Sequence, residues 1–461
     1  MPAARSDTGT GSTGSTGSTG GSGSDNAPAT WTSWSGLEAA RPDRVLAPES
    51  TEDVVAAVLA AREAGSTVKM VGTGHSFTGI GVPGRTMLRP DRLRGVLSVD
   101  RDAMTVTAYA GTRLADLNLE LERLGLSLHN MGDIAEQTLA GAVSTGTHGS
   151  GGLAAGLAAQ LEGFEMVAGT GEVLVADRTS HPDLLDLGRI GLGALGVLTT
   201  VTFRVEPLFL LQAEERPIGW DELLATHDEL VATHHHVDVH WFPHTDGALL
   251  KANTRLADDV AERRPLAAWQ RRLDDDLLSN RLFGVLTALG SRVPAVVPTV
   301  NRVASRALSA RSYSDVAHRV FVSSRQVRFR EMEYAVPREA GLAVLREARR
   351  VIDAHDWRIG FPVEVRTAPA DDVPLSTAYG RDVCYLAFHV PHTVDHRPYF
   401  DAVERVLRAH DGRPHWGKLH GLGAPDLARV HPRFEEFRAL RDRLDPDRVL
   451  VNAHLRHVLG P

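Results

Sequence analysis

Val71-Gly72-Thr73-Gly74-His75-Ser76-Phe77-Thr78-Gly79 follows the strand-like run Thr67–Val71. A strand entering a loop of alternating glycines can curl so that successive backbone N–H groups point at one anion, forming a nest suited to phosphate. The loop is not a G-x-G-x-x-G dinucleotide fingerprint. Phe77 stands at the third glycine position, and Gly79–Gly84, with Pro83, opens no helix. No Gly-Lys-Ser/Thr follows, which excludes a P-loop. From this loop alone, a plain glycine turn with an ordinary His75 stays open.

Outward from it, glycine is distributed unevenly. Of 43 glycines, 23 fall between Gly65 and Gly196 and only 12 after Leu210. A second constellation joins Asn130-Met131-Gly132-Asp133 to Gly141–Gly152, with Ser144, Thr145, Thr147, His148 and Gly149 inside it. Small residues at this density leave backbone exposed for close approach to a large flat ligand or its diphosphate. A third segment, Gly191–Val205, runs through Gly193, Gly196 and Val197 into a β-branched strand. It reads either as one wall of an adenine slot or as a plain buried strand.

The rest bounds the class. The 461 residues exceed one domain's usual size, and 43% apolar content fills real cores. One cysteine excludes an internal disulfide framework and a thiolate-rich zinc site. A net charge of −8 argues against nucleic acid as partner, and no apolar stretch is long enough for a transmembrane segment. Seven glycines sit in residues 1–24, where Thr8–Ser24 is only Gly, Ser and Thr. That segment reads as a flexible tail, and without a signal-like apolar core the protein is expected in the cytoplasm. Ser50 caps an expected helix with Val54, Val55, Val58 and Leu59 as its apolar face and Gly65 as its stop. Gly95–Val99 and Thr105–Ala110 read as strands. Thr112 reads as cap of a helix with Leu114, Leu117, Leu121 and Leu124 inside.

Beyond Pro207, Leu266–Leu278, Arg302–Ala310, Arg338–His355, Pro398–His410 and Pro432–Leu444 read as helices. Val320–Phe329, Glu331–Val336, Phe361–Thr367 and Cys384–Val390 read as strands. His234-His235-His236 lacks a further ligand at helical spacing, so it reads as a solvated helix end and no metal site is assigned. In a strand, Glu364 and Arg366 share one face and offer an acceptor and a planar donor fork. A surface ion pair is the alternative reading. Lys418 lies in a turn beside Trp416 and Gly417, flanked by His415 and His420.

The loop Gly72–Phe77, the stretch Gly141–Gly151 and Gly193–Val205 together resemble the vanillyl-alcohol-oxidase-type (PCMH-type) FAD proteins. Pro362–Arg366, Ala370–Ser376, Arg413–Lys418 and the closing Leu444–Val449 resemble their aldonolactone oxidoreductase branch. That branch contains D-arabinono-1,4-lactone oxidase, L-gulonolactone oxidase, L-gulono-1,4-lactone dehydrogenase and the related alditol oxidases. The resemblance spans about Trp31 to Leu459.

It implies an α+β fold, with a two-subdomain FAD-binding domain over residues 31–208 after the tail 1–30. An α+β substrate cap over 209–410 and a C-terminal segment 411–461 returning to the flavin complete it. It implies FAD held by Gly72, Thr73, Gly74, His75, Ser76, Phe77, Gly132, Asp133, Gly141, Ser144, Thr145, Thr147, His148, Gly149, Gly196 and Val197. A covalent bond through His75 is implied as well. Glu364 and Arg366 would orient a sugar lactone or polyol, and Lys418 would polarise the flavin. The implied reaction is hydride transfer from a carbinol carbon, with oxygen, a quinone or a cytochrome reoxidising the flavin. Gly132 beside the reactive flavin edge tilts this toward oxygen. Pro391 in His389-Val390-Pro391 cannot donate a hydrogen bond, which favours a lactone over an open-chain alditol. An alditol oxidase and a flavin-binding protein without turnover are the alternatives.

Overall fold

Residues 30–257, 262–267, 290, 292–322 and 327–461 are described by the computed structural model. The Ser-Thr-Gly tail Thr8–Ser24 and nearly all of Leu266–Leu278 lie outside the described residues. The helix read from Ser50 runs Thr51–Glu63, and the Ser50 hydroxyl accepts from the Asp53 amide at 3.2 Å. Its buried stripe is Val54, Ala57, Val58 and Ala61, at the spacing of one helical face. Leu59 falls off that stripe and is exposed beside Gly171.

Two sheets build the first half. Thr86–Leu88 sits between Arg44–Leu46 and Val68–Met70 in a parallel three-stranded sheet, and the glycine loop leaves the end of Val68–Met70. A five-stranded antiparallel sheet has the order Val173–Asp177, Leu161–Ala168, Gly196–Arg204, Thr105–Tyr109, Val96–Asp100. The second helix runs Leu114–Arg123 with Arg113, not Thr112, at its N-cap. The Thr112 hydroxyl is engaged instead by the Gly95 amide at 2.9 Å.

The second half is organised by one eight-stranded sheet. Its order is Arg311–Val316, Leu210–Gly219, Gly247–Arg255, His236–Trp241, Val363–Ala368, Val383–Pro391, Phe329–Pro337, Arg413–Pro414. Alternation along its central strands divides its two faces. Val237, Val239, Trp241, Val363, Val365, Leu386, Phe388, Val390, Met332, Tyr334 and Val336 are buried in one core. The helices Trp220–Thr233, Gly341–Ala354 and Arg397–Ala409 supply the other side of that core. The opposite face carries Asp238, His240, Glu364, Arg366, Tyr385, Ala387, His389, Glu331 and Glu333.

Two readings change. Val320–Phe329 is not one strand: a short helix covers Ala317–Phe321 and the strand begins at Phe329. Ala317, Val320 and Phe321 pack on Phe209 and Leu211, which gives that apolar run a helical burial site. His234 does follow a helix end, and its Nδ1 lies 3.0 Å from the Leu230 carbonyl. His236, however, is fully buried at the start of a strand, with its ring against Phe321.

After Arg413–Pro414 the chain crosses back to the first half. Asp445 accepts from the Val449 and Leu450 amides at 2.8 and 2.9 Å. Val68 N–H donates to the Val449 carbonyl at 2.9 Å, and Asn452 donates to the Gly79 and Val82 carbonyls at 2.9 Å each. Among the described residues no helix is long and apolar enough to cross a membrane.

Candidate active site

The glycine loop opens on a cleft. Gly72, Thr73, Gly74, His75, Ser76, Gly141, Ser144, Thr145, Gly196 and Val197 all line it. Phe77, Gly132, Asp133, Thr147, His148 and Gly149 are not among its lining residues. Gly74 needs its glycine for a φ of +72°. Gly72 needs its own for a different reason, since a Cβ there would lie 2.4 Å from Thr138 Oγ1. That hydroxyl caps the helix Leu139–Ser144 by accepting from the Gly141 amide. Gly72→Ala is therefore expected to cost about 1–3 kcal/mol by overpacking, read as a lower Tm.

Lys69, missed in the sequence, reaches into the same cleft. Its ammonium is buried and donates to the Gly193 carbonyl at 3.4 Å. Burial lowers its pKa to about 8, an effect that Asp445 partly offsets. A glycine-lined cleft with apolar walls at Met70, Ile80, Leu192 and Leu198 and a desolvated cation fits an FAD, with its flat rings and anionic diphosphate. His75 lines the cleft with its ring stacked on Trp34 at 5.8 Å, and burial lowers its pKa. Gly132 has a packing reason of its own, because a Cβ would lie 2.8 Å from Thr147 Cγ2.

Two bonds carry Lys418 to this loop, and a third fixes its neighbour Trp416 to Leu375. Phe77 N–H donates to the Gly417 carbonyl at 2.7 Å, the Thr78 hydroxyl donates to the Trp416 carbonyl at 3.0 Å, and Trp416 Nε1 donates to Leu375 O at 2.8 Å. The Lys418 ammonium lies 5.2 Å from the centre of the Phe77 ring and is ion-paired to Glu331. Burial would raise the Glu331 pKa, but Lys418 beside it holds it down to about 2.

Glu364 and Arg366 lie side by side on the charged face of the large sheet. Arg366 Nη2 lies 2.8 Å from Glu364, 3.3 Å from Asp238 and 3.5 Å from Asp133. Asp133 belongs to the glycine-rich half, so Arg366 bridges the two halves. His240 sits between Glu364 at 3.7 Å and Asp238 at 3.5 Å. His148 stacks on Tyr385 at 3.7 Å and meets Glu333 at 3.3 Å, so this member of the glycine stretch faces the eight-stranded sheet. His415 accepts from the Gly417 amide, and burial pushes its pKa down to about 3. Asp238, His240, Glu331 and Glu333 were not singled out from sequence. The available signal was ionisable residues two apart within otherwise apolar strands, as in Glu331-Met332-Glu333.

Residues 201–458 match the model of the D-arabinono-1,4-lactone oxidase family. The chain belongs to this family. Residues 42–177 of this lactone oxidase family member match an FAD binding domain. It is 37% identical over 431 residues to L-gulono-1,4-lactone dehydrogenase of Mycobacterium tuberculosis, covering 94% of this chain and 99% of that one. It is 29% identical to L-gulonolactone oxidase of Bos taurus, covering 92% and 97%. Cholesterol oxidase from Brevibacterium sterolicum shares the fold, with a TM-score of 0.80 at 18% identity over 94% of this chain and 96% of that one. The family member is thus a mixed helix-and-sheet protein with an FAD-binding domain of PCMH-type fold.

Proposed function

We propose that this chain oxidises a CH–OH group of an aldonolactone, of the L-gulono-1,4- or D-arabinono-1,4-lactone type, to a carbonyl with FAD as cofactor. The observation that carries the reading is the charged face of the cap sheet, with Glu364, Arg366 and Glu331, joined through Lys418 to the loop that lines the cleft. FAD supplies the two-electron hydride acceptor. The chain's own residues do the rest. Arg366 holds the Glu364 carboxylate in a fixed orientation, as an acceptor for substrate hydroxyls. Lys418 supplies a cation where charge develops on hydride transfer. Phe77, Phe329 and Phe361 form a buried apolar wall beside it that limits water.

The purified yellow protein is expected to bleach anaerobically with an aldonolactone and far less with xylitol. Bleaching by no lactone in a panel would overturn the reading. For reoxidation, the choice lies between oxygen and an organic acceptor such as a quinone or cytochrome. Peroxide formed in step with lactone loss assigns oxygen, and turnover only with an added dye assigns the other.

His75 is taken as the point of covalent flavin attachment. Burial favours its neutral imidazole, the nucleophilic form, and Trp34 holds the ring at the cleft. His75→Ala is expected to abolish flavin fluorescence that survives on a denaturing gel. Fluorescence persisting there would place the bond elsewhere.

A further inference from the structure

We propose that His389 is the general base that takes the hydroxyl proton of the substrate, an inference that rests on the carbinol oxidation above. His389 lies on the strand Val383–Pro391, on its charged face, and is 2% exposed. Its Nδ1 is 3.1 Å from the Pro362 carbonyl oxygen. A carbonyl only accepts, so Nδ1 carries a proton, and in the neutral ring the lone pair is on Nε2. Among the described residues Nε2 has no hydrogen-bond partner. It points into the gap between Glu331 Oε1 at 3.5 Å and Glu364 Oε1 at 4.0 Å.

Every element packed on the ring contributes to that arrangement. Glu331 faces it from the neighbouring strand Phe329–Pro337, and Glu364 from Val363–Ala368 on the other side. Lys418, from the loop tied to the flavin cleft, is paired with the other oxygen of Glu331. Phe329 meets the ring edge-on at 5.2 Å, and Phe361 lies over it at 6.2 Å. Two carboxylates at these distances stabilise an imidazolium once it forms, while Glu331 offsets the opposing charge of Lys418.

The neighbouring groups are poorly suited to this role. Glu364 accepts from Arg366, and Glu331 is clamped by Lys418, so each carboxylate is a weak base. His415 Nδ1 already accepts from an amide, which leaves its proton on Nε2. His240 has a carboxylate facing each nitrogen and no carbonyl to set its tautomer. The step balances as follows. The carbinol C–H bond breaks with its electron pair leaving as hydride to FAD, and the O–H bond breaks with its proton moving to Nε2. A C=O π bond forms, and the imidazolium later returns its proton to solvent.

The test is the anaerobic rate of flavin reduction by L-gulono-1,4-lactone across pH, in wild type, His389→Gln and Glu331→Gln. Histidine-selective 15N NMR of the wild-type holoenzyme is measured alongside. A general base predicts that the rate in wild type climbs with pH as Nε2 loses its proton. His389→Gln should lower the rate on the order of 10²–10⁴-fold and remove that limb. Glu331→Gln removes a charge that stabilises the imidazolium, so the limb should move to lower pH. The NMR signal lost in His389→Gln should be that of a neutral Nδ1–H ring where the enzyme is active. The same limb in His389→Gln as in wild type overturns the base. So does a limb that stays in place in Glu331→Gln, or a ring that is imidazolium or Nε2–H throughout the active range. A wild-type flavin that no lactone reduces removes the substrate reading and the base with it.

Discussion

Arg366→Met is expected to destabilise the folded chain by about 3–5 kcal/mol, because it strands buried carboxylates without their cation. Burial works against the charge of Arg366, but Asp238, Glu364 and Asp133 overcome it and raise its pKa well above the ordinary value. Asp238 is the mirror case. Burial would raise its pKa, yet Arg366 and His240 hold it well below the usual carboxylate range. A depressed carboxylate contributes stability above its unfolded value near 3.8, which is lost as pH falls through the folded value. The deficit of Arg366→Met should therefore be full while the stranded carboxylates stay ionised and narrow as acid protonates them. Chemical denaturation of both proteins at several pH values checks this. A deficit that does not change with pH would mean that lost packing, not lost charge pairing, explains it. Turnover should fall roughly 10²-fold or more as Glu364 loses its orientation.

Lys69→Met is expected to act in two opposite directions. Burial puts the Lys69 pKa at about 8 against an ordinary 10.5, so folding without cofactor costs about 3 kcal/mol in the charged form. Between pH 8 and 10.5 the unfolded chain binds more protons, so the stability of the FAD-free protein rises with pH there. Below about pH 8 the penalty is full. Replacing Lys69 should raise the Tm of the FAD-free protein near pH 7, and the gain should vanish by about pH 10.5. FAD binding should weaken by about tenfold to a hundredfold, since a charge-assisted contact is lost. Titration with FAD of refolded, FAD-free His75→Ala protein, with and without Lys69→Met, measures the second effect. Unchanged affinity would show that the ammonium does not meet the cofactor.

The two variants also mark how far local patterns reach. Gly72 and Gly74 were legible because backbone approach and positive φ demand glycine whatever surrounds them. Glu364 and Arg366 were legible as a pair because strand alternation is a local rule. Val320–Phe329 misled because its apolar start, Val320-Phe321-Val322, fits a strand or a short buried helix equally, and the contact of Val320 and Phe321 with Phe209 and Leu211 made the choice. Thr112 misled because its hydroxyl had a distant partner in Gly95.

The sequence by itself determined which segments could cradle an extended anionic cofactor, because residues without bulk write their purpose into the chain locally. It also determined the family, through separated motifs in one order. Tertiary structure alone decided that Asp133, Asp238, Glu364 and Arg366 form one charge cluster, and that Glu331 links Lys418 to His389. Those contacts depend on a strand order in which Val363–Ala368 lies between His236–Trp241 and Val383–Pro391. No spacing along the chain encodes that neighbourhood. It follows from which apolar faces bury together, and the charges are carried there by the other side of the same strands.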